Sequence, residues 1–227
     1  MKKRVFSTEL SYVLGLVILA LGAAMMTRAD FGLSMVVAPA YLLHLKVSQT
    51  LPFFTFGMAE YTLQAVLIAE LALVMRRFRL AYLFSFVTAV LYGFALDGAL
   101  LLIPAVPESS YAVRFMLYVI GMVLCSLGVA LFFRTYIAPE VYELFVKELS
   151  DKFHAPIHKV KTVYDCVSCA AAVVMSLIFF GFHTLEGVGW GTVLCALING
   201  RIIGWISQGL SRYFTFEDKL SWRKYFE

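Results

Sequence analysis

The chain has 227 residues, of which 61% are hydrophobic and only 15% are charged. Soluble domains are about 45–50% apolar, so this composition excludes an ordinary soluble protein and predicts a membrane protein. The formal net charge of +4 comes from basic clusters between long uncharged segments. We interpret it as a sign of membrane topology rather than of nucleic-acid binding.

Six apolar windows are long enough, at about 20 residues each, to cross the hydrocarbon core of a bilayer. In chain order they are residues 9–28, 56–75, 80–103, 111–133, 161–182 and 187–209. The N-terminal MKKR and the apolar run after it resemble a secretory signal. The same run recurs later in the chain, however, so we assign it to the fold as the first span.

Two shorter segments lie between these windows. Residues 30–46 are apolar but are interrupted by Pro39, and we expect a re-entrant or interfacial helix there rather than a seventh span. Residues 139–153 read PEVYELFVKELSDKF, with apolar side chains on one helical face and charged side chains on the others. We expect this second segment to lie on the cytoplasmic surface.

Basic residues concentrate on one side of the predicted spans. Cytoplasmic loops carry the excess of lysine and arginine, which places both termini in the cytoplasm. On that side lie 15 of the 19 basic residues: Lys2, Lys3, Arg4, Arg76, Arg77, Arg79, Arg134, Lys147, Lys152, Lys159, Lys161, Arg212, Lys219, Arg223 and Lys224.

The first and fourth spans have related sequences. Residues 14–28, LGLVILALGAAMMTR, align without gaps on residues 120–134, IGMVLCSLGVALFFR, with six identities that include two glycines and the final arginine. Each half has three spans, so the second half enters the bilayer from the opposite side. The sequence therefore predicts an all-α polytopic membrane protein of six transmembrane helices. They form two inverted three-helix repeats, residues 1–106 and 107–211, each with an extra short re-entrant or interfacial helix, followed by a basic cytoplasmic tail at 212–227.

Small residues recur four apart on the third span of each repeat, at Ala89 and Gly93 and again at Ala196 and Gly200. This spacing lets a neighbouring helix approach closely. Such faces suit packing within the chain, and they would also suit a homodimer interface.

Three motifs resemble a known family. They are Gly22 with the ADFGLS of residues 29–34, Pro139 with the acidic helix after it, and the GWGT of residues 189–192 that opens the last span. Over residues 10–207 the chain resembles the bacterial YczE/YyaS/YitT-like integral membrane proteins, specifically the shorter YczE-like branch. Longer relatives carry a soluble C-terminal domain, where this sequence has only the basic tail. The resemblance implies a multi-pass protein of the bacterial plasma membrane, and the architecture implies transport.

Charged side chains within spans are costly, about 2.5–3.5 kcal/mol for a central charge on insertion scales, so each requires a partner or a water-filled path. Polar residues of this kind are our candidates for binding solute or ions: Glu60, Gln64, Asp97, Asn199, Arg201 and Asp165. Four more, near the two mouths, are candidates for gating or ion pairing: Arg28, Asp30, Arg134 and Glu140.

Each candidate also has a structural interpretation. Arg28 and Arg134 end the first helix of each repeat, where a cation compensates exposed carbonyl groups; the alternative is a gate in which each arginine pairs with an acid. Glu60 is either a solute or proton ligand or a structural hydrogen-bonding group.

Three further assignments depend on depth in the membrane. We interpret Lys161 and Asp165 as a local pair at the membrane edge, and Asp97 and Arg201 as the deepest ions, joined in an interior salt bridge unless they serve the solute. Asn199 can serve either the solute or helix packing.

The sequence favours a secondary transporter of a small organic solute, with proton coupling through Glu60 or Asp97. The alternative is a non-transporting subunit or sensor whose 139–153 helix and basic tail dock a cytoplasmic partner or anionic lipid. We expect no enzymatic activity, no cofactor and no metal site, because no nucleophile–base pair, ligand set or P-loop occurs in a credible context.

Overall fold

The computed structural model describes residues 4–107, 109–181 and 185–225; Lys2 and Lys3, used in the charge count, lie outside them. Its eight helices are α1 Thr8–Ala29, α2 Ala38–Val47, α3 Phe56–Met75, α4 Leu80–Leu102, α5 Tyr111–Phe132, α6 Val141–Phe153, α7 Ile157–Phe180 and α8 Trp190–Tyr213. All but α2 and α6 are long and apolar enough to cross a membrane. The prediction of an all-α polytopic membrane protein with six spans is therefore confirmed.

Side-chain caps fix where two of the spans begin. The Ser7 hydroxyl accepts a hydrogen bond from the Leu10 amide at 3.0 Å, and the Thr55 hydroxyl accepts one from the Met58 amide at 3.2 Å. These bonds satisfy amides that a helix start leaves without a partner.

Helices α1 and α5 form the central pair and run antiparallel. A Cβ placed on Gly15 would lie 3.1 Å from the Gly128 carbonyl oxygen, and one placed on Gly22 would lie 2.7 Å from the Gly121 carbonyl oxygen. The repeat aligns Gly15 with Gly121 and Gly22 with Gly128, so each of these contacts is the image of the other. The two halves thus meet about a local twofold axis, at glycines that let the backbones approach.

The other helices follow the same symmetry. Helix α4 packs on α1, and its counterpart α8 packs on α5. The short helices α2 and α6 each contact both α3 and α7. Each repeat therefore contributes its short helix to the space between the two halves.

Both chain ends lie on one side of the molecule. Residues Arg4–Ser7 (β1) pair in parallel with Phe214–Glu217 (β2), and Glu9 accepts hydrogen bonds from the amides of Lys219 and Leu220. The predicted tail is thus folded onto the N-terminus. We call this side of the molecule the terminal face.

Helix α6 does not lie on the surface, and that prediction is wrong. Just before its start, the Ala138 carbonyl accepts a hydrogen bond from Thr88, which lies eight residues, or about 12 Å, into α4. Near its end, Glu148 pairs with Arg79 at 3.1 Å, at the terminal face. Helix α6 is therefore re-entrant and largely buried, because its charged side chains find partners within the protein rather than in water.

Candidate functional site

A group of charged side chains lies between α3, α6, α7 and α8. We call it the carboxyl cluster: Glu60, which is half-buried, and the buried Glu140, Glu143, Lys161 and Asp165. The inward faces of α3 and α7 supply it at matching positions, since the buried residues Gln64, Ile68 and Leu71 of α3 have the same spacing as Asp165, Cys169 and Ala172 of α7. By this correspondence, Glu60 in the first repeat is equivalent to Lys161 in the second.

Lys161 holds two acids together at the centre of the cluster. Its Nζ lies 3.0 Å from Asp165 Oδ1, one turn along α7, and 3.3 Å from Glu143 Oε1 on α6. The pairing of Lys161 with Asp165 is confirmed, and the pair is buried within the protein, because the Lys161 side chain is only 2% exposed. Its position at the membrane edge stays a prediction. The sequence pattern missed Glu143, which α6 turns toward Lys161 rather than toward water.

A chain of hydrogen bonds extends from this pair to α5. Asn199 Nδ2 lies 3.5 Å from Asp165 Oδ2, and the Ser126 hydroxyl donates to Asn199 Oδ1 at 2.7 Å. Asn199 therefore connects α7 to α5, and its amide is already engaged by protein groups. Ser126 gave no signal in the sequence, since a serine in an apolar helix is common.

Glu60 joins the cluster from α3. Its Oε1 accepts a hydrogen bond from the Tyr142 hydroxyl at 2.6 Å and one from Gln64 Nε2 at 3.2 Å. Its Oε2 and the Gln64 Oε1 are buried, and neither has a hydrogen-bond partner within the described part of the chain. Buried polar atoms rarely lack a partner in a folded protein, so these two oxygens are places where a proton, a water or an ion can bind.

Glu140, immediately before α6, is 6% exposed, and its carboxyl makes no hydrogen bond to any described residue. Burial raises the pKa of Glu140 well above its usual value; nearby Glu143 and Glu60 raise it further, and Lys161 opposes this. Burial also raises the pKa of Tyr142, which keeps its hydroxyl as the proton donor to Glu60. The geometry thus favours a protonated Glu140.

The cluster is unbalanced in charge. It contains four carboxyl groups, and Lys161 is the single cation that contacts them in the region described. Full ionisation would leave three uncompensated negative charges in a buried environment, at a cost of several kcal/mol each. The cluster must therefore bind protons or receive a positive charge.

The comparisons with known proteins concern the whole membrane part of the chain. Residues 6–208 match a family of unknown function, DUF6198. The chain belongs to this family. No curated protein and no solved structure matches it. The match covers both repeats, and the resemblance to the YczE-like branch stays a prediction.

In this DUF6198 chain, two of the predicted ligands lie outside the cluster. Asp97 on α4 and Arg201 on α8 are both exposed, and across the described residues they form no salt bridge with each other or with another side chain. The interior salt bridge expected for them is not formed, because their helices turn them away from the interior.

The two repeat arginines contact carbonyl groups instead of acids. Arg28 donates to the Leu100 carbonyl at 2.7 Å, and Arg134 donates to the Ser207 carbonyl at 2.9 Å. These bonds join equivalent positions of the two repeats. The Arg28 bond compensates the C-terminal end of α4, whereas Ser207 lies six residues before the end of α8. Asp30, 80% exposed, pairs with Arg114 at 3.3 Å. A gating role for these residues stays a prediction.

The DUF6198 repeats differ in one respect, the packing of their last two spans. Helix α8 packs closely on α7, and a Cβ on Gly200 would lie 2.7 Å from the His158 carbonyl oxygen. The equivalent helices α4 and α3 pack far less closely, and a Cβ on Gly93 would meet no atom of the described residues within 4 Å. The small-residue contact predicted for both repeats is present only in the second.

Proposed function

We propose that this protein is a secondary transporter of a small organic solute, driven by protons and working by alternating access. The observation that carries this proposal is the unequal packing of two equivalent helix pairs around the carboxyl cluster. Inverted repeats that adopt two different packings can exchange them, which opens a central site first to one side of a membrane and then to the other.

The exchange has a specific geometry. In the present state Gly200 packs against Thr162, whereas α3 meets α4 through large side chains, with the rings of Tyr61 and Phe86 5.8 Å apart, and not at Gly93. In the opposite state α3 closes on α4, with Gly93 against Tyr61, the residue that corresponds to Thr162. Glycine at position 93 leaves room for this closure.

Protons enter the cycle at the carboxyl cluster. Glu60 and Glu140 are the coupling groups, because their carboxyls belong to the cluster and form no ion pair with Lys161 among the described residues. Asp97, the other coupling candidate in the sequence, is exposed and offers no sheltered site for a proton. A proton taken up at Glu60 weakens its attraction for the Tyr142 hydroxyl and so loosens α6 from α3.

The coupling can be tested with purified protein in vesicles loaded with a pH-sensitive dye, screened against a panel of metabolites and drugs. We expect a solute-dependent proton flux that Glu60→Gln abolishes. Glu70→Gln, on the exposed face of the same helix, is the matched control and should keep the flux. Flux that survives Glu60→Gln and Glu140→Gln, or no flux with any solute, would reject the proposal.

The conformational step can be tested separately. Gly93→Leu fits the open space beside α4 in the present state, so the variant should fold normally but lose transport because α3 can no longer close. Gly98→Leu, which also faces open space, should retain transport. Equal transport by both variants would contradict the proposed closure.

Within the described residues, helix α6 has no free apolar face for docking. The apolar face that would bind a partner or a lipid surface is already buried against α3 and α4 by Val141, Leu144 and Phe145.

A further inference from the structure

The terminal face contains a cavity of about 570 Å³. It lies between the start of α4, the loop that joins α5 to α6, helix α6 and the C-terminal segment. Its charged lining consists of four basic and two acidic side chains: Arg79, Arg134, Lys147, Arg223, Glu148 and Asp151.

The lining carries an excess of positive charge. Glu148 pairs with Arg79, at 3.1 Å, and with Arg77, at 3.5 Å, and Arg223 pairs with Asp218 at 2.7 Å. Lys147 lines the same space and donates a hydrogen bond to the Thr135 carbonyl at 2.9 Å. A cavity of this kind attracts anions and repels cations.

Arg134 gives the cavity a specific binding group. Its Nη2 donates to the carbonyl and hydroxyl oxygens of Ser207 and to the hydroxyl of Ser211, all of which are neutral acceptors. Its Nε and Nη1 make no hydrogen bond to the residues that the structure describes, and they are not sealed inside the protein. In the other repeat, by contrast, Arg28 uses Nε as well as Nη2 to bind carbonyl groups.

The Nε–H and Nη1–H groups of Arg134 can each donate a charge-assisted hydrogen bond to an oxygen of a carboxylate or a phosphate. The Arg134 guanidinium, which also lies 5.6 Å from the centre of the Phe216 ring, therefore has the chemistry of an anion ligand and pairs with no acid among the described residues. Lys147 also lines the cavity and adds a second positive charge.

The cavity also leads toward the carboxyl cluster. Ala138 and Pro139 line it and directly precede Glu140 in the chain. An anion held by Arg134 would thus lie beside the segment that enters the cluster.

We propose that this cavity binds the carboxylate or phosphate group of the transported solute, which is therefore an organic anion. The inference rests on the proposed function, and it assigns the substrate class. One proton carried by the cluster offsets one negative charge of the solute, so protons and anions move together.

The test is titration calorimetry of the whole protein in phosphatidylcholine nanodiscs, with succinate and inorganic phosphate as probes. We expect saturable binding that Arg134→Gln and Lys147→Gln each weaken at least tenfold. Lys159→Gln, an exposed basic residue outside the cavity, should bind as the wild type does. Arg134 also holds α8, so Lys147→Gln, which leaves those bonds intact, keeps the test valid if Arg134→Gln fails to fold.

The outcomes separate this inference from the proposed function. Binding of neither probe, or binding that both variants retain, overturns the anion site even if a cationic or neutral solute drives proton flux. Binding at the cavity without any solute-driven flux supports the anion site and overturns transport. A lipid headgroup could also supply a phosphate group, and nanodiscs that contain phosphatidylglycerol test this. If this lipid occupies the cavity and neither soluble probe binds, the solute assignment is overturned.

Discussion

The equivalent glycines Gly93 and Gly200 allow a matched test of the unequal packing. A methyl group at Gly200 would lie 2.7 Å from the His158 carbonyl oxygen, well inside the 3.4 Å at which ordinary contact begins, and 3.0 Å from the Thr162 amide nitrogen. Both are backbone atoms, so α7 and α8 must separate by about 0.7 Å. Overpacking of this kind costs about 1–3 kcal/mol. Gly93→Ala meets no such obstacle.

Both substitutions share a second effect, which cancels in the comparison. Alanine favours a helix over glycine by about 1 kcal/mol. Gly93→Ala should therefore stabilise the protein by about that amount, whereas Gly200→Ala should be about 1–3 kcal/mol less stable than Gly93→Ala.

The measurement is reversible unfolding of each variant in mixed detergent micelles, followed by tryptophan fluorescence, with circular dichroism to check that helix content is unchanged before unfolding. If Gly200→Ala equals or exceeds Gly93→Ala in stability, the close packing of α7 on α8 is refuted, and with it the asymmetry that supports alternating access.

Two more predictions concern the carboxyl cluster. Because the pKa of Glu140 is raised, the folded state holds a proton that the unfolded state releases, so the free energy of unfolding should fall as pH rises above the ordinary glutamate pKa of about 4.3. Glu140→Gln should flatten this pH dependence in unfolding experiments from pH 5 to 9. An unchanged slope would show that Glu140 is not its source. Lys161→Met removes the cation from Glu143 and Asp165 and should cost about 3–5 kcal/mol near neutral pH, as for other buried pairs that lose one partner. Denaturation at several pH values should show a smaller cost in acid, and a cost that does not depend on pH would contradict the pairing.

The spans and the repeat could be predicted from the sequence, because both depend on local patterns. An apolar run of 20 residues identifies a span whatever it packs against. The glycines at positions 15, 22, 121 and 128 fixed the alignment of the halves, and they are the residues where α1 and α5 meet.

The centre of the site could not be predicted as well, because it depends on which way each helix faces. Asp97 and Arg201 look deeper in their segments than Lys161 does, yet they face outward and Lys161 faces inward. Helix α6 looked like a surface helix because a charged stripe has the same sequence pattern whether it faces water or a buried lysine. The contact of Glu143 with Lys161 on α7 shows that the stripe faces inward, and this contact depends on the tertiary fold.

The pairing of β1 with β2 has a consequence for biosynthesis. The N-terminal strand is made first, but its partner begins at Phe214, so the ribosome must translate nearly the whole message before the two can meet. Until then the N-terminal strand has no partner, and the later spans are inserted while the segment before α1 is still unpaired. The pairing therefore cannot form before α8 has been made, and it requires the end of α8 to lie on the same side as the start of α1.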